Sequence, residues 1–187
     1  MRHPVTQSRR LRRLILAMGA VLAAAPVSGQ ELLTLIQVCD AGRPVPPAGR
    51  FEIDAAGTVV DRKTGLHWMR CALGQQWNNT DCTGTPLTSP WAGTFDLATG
   101  LNRRGGHAGH ADWRVPTLDE LASLVEPHCY DPALDLGPFP SSPITGFWTA
   151  TPHASPNHAM LVHFKYGGNY MGNKNQTWAL RLVRDGR

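Results

Sequence analysis

Six consecutive residues, His107-Ala108-Gly109-His110-Ala111-Asp112, bring two imidazoles and a carboxylate close together in the chain. A transition metal would use such groups, provided three or four donors converge on it. Gly109 makes the segment a loop with no fixed side-chain directions, and no further donor stands out, so the pattern predicts a turn without a metal. Arg114 with Asp119 and Glu120 raises the corresponding question for acid–base chemistry. Adjacent helix residues point in different directions, which speaks against a paired-carboxylate site. Glu120 lies three residues after Thr117, the spacing of a capping box, and Asp119 sits where a helix start favours negative charge. Arg114 is then left to brace the turn. With no Gly-x-Ser-x-Gly elbow and no phosphate-cradling glycine loop, the chain reads as a non-enzyme that needs no cofactor.

Recognition chemistry is richest between Asn157 and Trp178. Along His158 to Phe164, strand alternation puts Ala159, Leu161 and His163 on one face and Met160, Val162 and Phe164 on the other, mostly as core. The following run, Lys165-Tyr166-Gly167-Gly168-Asn169-Tyr170-Met171-Gly172-Asn173-Lys174-Asn175-Gln176, interleaves aromatics, amides and glycines. Tyrosine offers apolar area and a hydroxyl at low entropic cost, and amides both donate and accept, which suits carbohydrate hydroxyls. The candidate ligand-binding residues are Tyr166, Asn169, Tyr170, Asn173, Lys174, Asn175 and Gln176. The competing reading has the tyrosines packed into the fold and the glycines merely making turns. Trp148 and Trp178 each open a predicted strand and are expected as buried anchors.

Two helices and several short strands must position these groups. Ser89-Pro90-Trp91 predicts a helix start with proline at the first position, and Trp91, Phe95, Ala98 and Leu101 continue its apolar face until Gly105-Gly106. Pro116 ends an extended run at Val115, and the capping box at Thr117 starts the second helix, whose apolar face is Leu118, Leu121, Leu124 and Val125. Phe51 to Cys71 reads as short strands with tight turns at Ala56-Gly57 and Thr64-Gly65, and strands are expected again at Phe147 to Thr151, His158 to Phe164 and Trp178 to Arg184.

Residues 1–29 have the pattern of a secretory leader: Arg9, Arg10, Arg12 and Arg13, an apolar stretch from Leu14 to Ala25, then small residues at Val27-Ser28-Gly29. That stretch is too short for a bilayer, which takes about 20 residues, so no transmembrane anchor is expected. The leader holds five of the 18 Lys and Arg residues and none of the 14 acidic ones, leaving 13 against 14. The basic character of the whole chain therefore belongs to the leader and gives no reason to expect a nucleic-acid partner. Residues 30–50 read as an N-terminal arm and Pro-rich linker, and 51–187 as a single domain.

In an exported chain, Cys39, Cys71, Cys82 and Cys129 are expected to be oxidised. Three pairings are possible. The short, Gly- and Asn-rich interval favours Cys71 with Cys82, which leaves Cys39 to tie the arm to Cys129. No close Cys-x-x-Cys pair supports zinc.

Asp61 to Trp68 (Asp-Arg-Lys-Thr-Gly-Leu-His-Trp), Ala108-Gly109-His110, Asp112 to Leu121 (Asp-Trp-Arg-Val-Pro-Thr-Leu-Asp-Glu-Leu), Phe147 to Thr151 and Arg181-Leu182-Val183-Arg184 together resemble, in order, the blocks of the Lcl C-terminal domain family. The resemblance runs from about Phe51 to Arg184. It implies an α+β, C-type-lectin-like fold, similar to the formylglycine-generating-enzyme branch, with two helices and short mixed or antiparallel strands, disulfide-stapled. It also implies an exported bacterial protein, periplasmic or at the cell surface, whose partner is an extracellular glycan or an envelope or surface protein. Oxidase relatives within the wider fold use a pair of C-terminal cysteines; here no cysteine follows Cys129. The signatures of calcium-dependent sugar binding are likewise missing. A structural or assembly role in the envelope, without glycan binding, is the alternative to adhesin-like binding, and an enzyme with an unrecognised site is the third reading.

Overall fold

In a computed structural model of the chain, residues 37–40 and 49–186 are described. The expected leader (1–29) and most of the expected arm and linker (30–36 and 41–48) lie outside the described residues. In chain order the elements are β1 (Val38–Cys39), β2 (Phe51–Ile53), β3 (Thr58–Asp61), β4 (Leu66–Met69), β5 (Gln76–Trp77), β6 (Cys82–Thr83), β7 (Thr88–Ser89), α1 (Trp91–Arg103) and α2 (Leu118–Ala122). They continue with β8 (Cys129–Tyr130), β9 (Gly146–Pro152), β10 (His158–His163), β11 (Gly168–Asn173), β12 (Trp178–Ala179) and β13 (Val183–Asp185).

The strands form a five-stranded sheet in the order β11-β10-β9-β12-β7, a four-stranded sheet in the order β13-β4-β3-β2, and two small ribbons, β1-β8 and β5-β6. Pairing is antiparallel except between β12 and β9. The chain is thus an α+β fold of short strands with two helices, stapled by disulfides Cys39–Cys129 and Cys71–Cys82. Among the described residues no helix is long and apolar enough to cross a membrane.

Strand β10 shows why the larger sheet sits where it does. Ala159 and Leu161 pack with Trp113, Trp148 and Leu180, against which the α1 residues Leu97 and Leu101 also lie. The alternate residue Val162, with Phe147 and Phe164, packs on the other side with Leu121 and Leu124 of the α2 segment. Both faces of the sheet are therefore buried at its centre, as period-two alternation with apolar residues on both sides requires.

Helix α1 departs from expectation at its start. Pro90 is the N-cap residue, with φ −58° and ψ 155°, and no side chain caps the helix. Ser89 is held in β7 opposite Trp178, so the helix cannot begin earlier. Phe95, expected on the apolar face, is 36 % exposed, and Thr94 is buried in its neighbourhood instead. Burial of the threonine is tolerated because its hydroxyl donates to the Trp91 carbonyl at 2.6 Å.

Helix α2 is a short five-residue element with the capping box its sequence predicts: Glu120 N–H donates to Thr117 Oγ1 at 3.3 Å and Thr117 N–H to Glu120 Oε2 at 2.7 Å. Arg114 forks onto both Glu120 oxygens at 2.8 Å and reaches Asp185 at 2.7 Å. The Arg114 hydrogen bonds hold the Glu120 carboxyl below its ordinary pKa. A depressed folded-state pKa means the stabilisation is complete at neutral pH and disappears as pH falls through the folded value. Arg114→Met should cost about 1 kcal/mol at pH 7, since the pair is partly exposed. Urea titrations at pH 7 and pH 3 should show that cost shrinking in acid.

The expected final strand, Trp178 to Arg184, is two strands in two sheets. Leu180 and Leu182 carbonyls accept from Leu73 and Met69 N–H groups, so the chain crosses from the large sheet to the small one. Arg181 lies at the crossing, fully buried. Its Nη1 donates to the Met69 carbonyl at 2.9 Å and also to the Arg70 carbonyl, and its Nη2 to Ser142 Oγ at 2.9 Å. The guanidinium lies 4.7 Å from the Phe139 ring centroid. Burial pulls its pKa down to about 9, which leaves it charged at neutral pH.

Candidate ligand-binding groove

Strand β11 is the last strand of the five-stranded sheet, so among the described residues no strand pairs with its outer edge. Its register sets Tyr170 opposite Leu161, Gly168 opposite His163 and Gly172 opposite Ala159. These residues share one face, the one read from sequence as carrying Ala159, Leu161 and His163. A groove of about 400 Å³ lies there, with Leu161 and Gly172 beneath it and His163, Tyr166, Tyr170 and Trp178 around it; Lys165, Met171 and Gln176 complete the lining.

The glycines of β11 do more than make turns. Gly167 is a turn residue at φ +73°, but a Cβ on Gly168 would stand 2.6 Å from the Tyr170 ring and one on Gly172 would stand 2.8 Å from both Leu161 and Trp148. Gly168 lets the tyrosine ring lie across the strand, and Gly172 lets the strand close on the core. Gly168→Ala should therefore swing Tyr170 aside and weaken ligand binding with little effect on unfolding. Gly172→Ala should destabilise the fold by about 1–3 kcal/mol through overpacking. Thermal unfolding of the two variants separates these outcomes.

His163 stands between two rings, with its centroid 6.2 Å from Tyr170 at 79° and 6.1 Å from Trp178 at 71°. Lys165 N–H donates to His163 Nδ1 at 3.2 Å, which places the neutral ring's proton on Nε2. Burial, and secondarily the Lys165 charge, lower its pKa. Trp148 is fully buried, as expected of an anchor, and its Nε1 donates to the Ser89 carbonyl at 2.9 Å. Trp178 is only partly buried, because its ring forms a wall of the groove over Gly146.

Of the seven candidates, Tyr166, Tyr170 and Gln176 line the groove. Tyr166 is 64 % and Tyr170 50 % exposed. Asn169 is exposed on β11 but outside the lining. Asn173 and Asn175 brace the β11–β12 turn: Asn175 N–H donates to Asn173 Oδ1 at 3.0 Å, and Asn173 N–H to Gln176 Oε1 at 3.1 Å. Lys174 anchors that turn, its Nζ donating to the Pro156 carbonyl at 2.8 Å and lying 4.5 Å from the Trp91 ring centroid. Leu161, His163, Lys165, Met171 and Trp178 escaped the sequence reading as site residues. Only the β10–β11 register shows that the His163 face turns outward beyond Leu161.

The remaining chemical candidates have structural roles. His107 and His110 exchange backbone hydrogen bonds of 2.9 and 3.0 Å around Ala108 (φ 52°) and Gly109 (φ 76°), a tight two-residue turn. The His107 ring packs on Trp113 at 5.7 Å, and Asp112 accepts from Arg184 Nε at 2.8 Å. Among the described residues no three His, Cys, Asp or Glu side chains are grouped to hold a metal ion. A second cavity, of about 300 Å³, lies beside the Cys71–Cys82 bridge between Gln76, Trp77, Asn79 and His107.

No curated protein matches the chain. Residues 57–184, more than half of the chain and the whole of the groove, match the profile of the Lcl C-terminal domain, and the protein belongs to that family.

Proposed function

We propose that this is an exported binding domain of C-type-lectin-like fold, periplasmic or at the cell surface, that recognises an extracellular glycan through the β10–β11 groove. The observation that carries the reading is the aromatic lining of the groove with rings left open to solvent. Two tyrosines more than half-exposed or nearly so, a half-buried tryptophan and a histidine bracketed between rings surround a cavity without an acidic residue in its lining. Sugar rings offer apolar C–H faces to such side chains, while hydroxyls meet the Gln176 amide, the Lys165 ammonium and the His163 N–H. The cavity is at the small end of the roughly 300–1,000 Å³ typical of small-molecule sites. Two disulfides and no free cysteine fit an oxidising compartment.

The surroundings of His163 favour reading the groove as a binding site. His163 has its Nδ1 engaged by a backbone N–H, and no carboxylate in the groove orients it as a base. The exposed Met171, at 59 %, favours a second reading, in which the same surface docks an envelope protein.

The test is a broad glycan array, including sulfated polysaccharides, probed with the oxidised chain from Gln30 to Arg187, with calcium and again with chelator. Selective binding that survives chelation and is lost in Tyr170→Ala is expected. A silent array from a folded sample, with one envelope protein captured through the same tyrosines, would replace the glycan by a protein partner.

A further inference from the structure

Resting on the glycan reading of the groove, we infer that the site continues past the hairpin onto Tyr130, so that it binds internal stretches of a linear oligosaccharide and not a single terminal sugar. Tyr130 is far from the groove in sequence but next to it in space: its ring centroid is 6.3 Å from that of Tyr166, with the planes tilted by 35°. Tyr130 is 42 % and Tyr166 64 % exposed, so both keep area open to solvent. With Tyr170, His163 and Trp178, they make a strip of rings that extends beyond the cavity itself, whose lining does not include Tyr130.

The fold holds Tyr130 firmly in that place. Val38 pairs with Tyr130 and Cys39 with Cys129, and the disulfide joins the same two strands. On the other side, Asp131 N–H donates to the Lys165 carbonyl at 2.8 Å and Ala133 N–H to the Phe164 carbonyl at 2.6 Å. Tyr130 is thus clasped between the ribbon on one flank and the start of the β10–β11 hairpin on the other. A backbone so held does not have to be ordered when a ligand covers the ring it carries, which favours binding. Lys165, with Nζ 5.2 Å from the Tyr166 ring centroid, supplies a hydrogen-bond donor beside that ring. A chain of pyranose rings presents an apolar face and hydroxyl edges in repeating order, which matches rings in a row with polar groups between them.

The experiment titrates the oxidised chain with gluco-, manno- and chito-oligosaccharides graded from monosaccharide to hexasaccharide. Affinity for the recognised series should climb with length. Tyr130→Ala should weaken the longer oligomers by about threefold to tenfold, the worth of one aromatic contact, and leave the shortest binders unchanged. Tyr130→Phe should behave as the parent, and Tyr170→Ala should lose every length. Tyr130 is exposed, so its variants are expected to unfold at the parent temperature. Affinity independent of length, or a Tyr130→Ala loss equal at all lengths, would overturn the extended site while leaving the groove as a glycan site. Silence throughout the graded series overturns the extended site, and silence on the broad array as well removes the glycan reading beneath it.

Discussion

Arg181→Ala should lower the free energy of unfolding by roughly 3–5 kcal/mol, among the largest losses a single substitution can produce here. The side chain is fully buried, and its hydrogen bonds go to the Met69 and Arg70 carbonyls and the Ser142 hydroxyl, not to a carboxylate. Its charge is balanced instead by carbonyl dipoles, one hydroxyl and the face of Phe139. Truncation removes those contacts together, leaves buried acceptors without donors and opens a cavity under the crossing between the two sheets. For a domain of this size each kcal/mol shifts the melting temperature by about 2–4 °C, so a drop of about 6–20 °C is expected in calorimetry. Arg181→Met, which keeps the apolar stem, should recover part of the packing but none of the hydrogen bonds, and so fall between parent and alanine. An alanine variant melting at the parent temperature would mean that this network contributes nothing to the fold.

Loss of the Cys39–Cys129 bridge ranks second. It closes a separation of 90 residues, against 11 for Cys71–Cys82. Chain-entropy reasoning gives about 4–5 kcal/mol for a loop near 100 residues and about 3 kcal/mol for one of 15, with measured losses often smaller. Cys39→Ser with Cys129→Ser should therefore destabilise the chain by about 2–4 kcal/mol, and more than Cys71→Ser with Cys82→Ser, in urea unfolding. Equal losses for the two pairs would show that the long loop is already restrained in the unfolded chain. The double serine variant should also loosen the ribbon that positions Tyr130, coupling stability to the far end of the proposed strip.

What was legible in the sequence was local. The Thr117 and Glu120 box, the turn at Ala108-Gly109, the short Cys71–Cys82 interval and the alternation along His158 to Phe164 are each decided by residues a few positions apart. What escaped was decided across strands. Phe95 has the right helical spacing for the core, yet the helix is placed by β7 and the Trp113 side of the sheet, and Thr94 takes the inner position. Trp178 opens a strand, as expected, but lies over Gly146, a residue from another strand, which leaves one side of its ring outside the core. The amides of the β11–β12 turn have the composition of a recognition loop, although Asn173, Lys174 and Asn175 are occupied with the turn itself. His163 and Tyr130 join Tyr170 and Tyr166 only through strand register and a seam of backbone hydrogen bonds, and neither leaves a mark in spacing or periodicity.

The open edge of β11 carries a consequence for behaviour in concentrated solution. Asn173 N–H points away from β10, as its bond to Gln176 shows, and strand alternation turns the Met171 and Asn169 amides the same way. An incoming strand would extend the sheet along these groups, the usual route to aggregation at an unpaired edge. Gln176 occupies the last position of that row, where it works as a stopper: its side chain imitates the neighbour that an intruding backbone would otherwise supply.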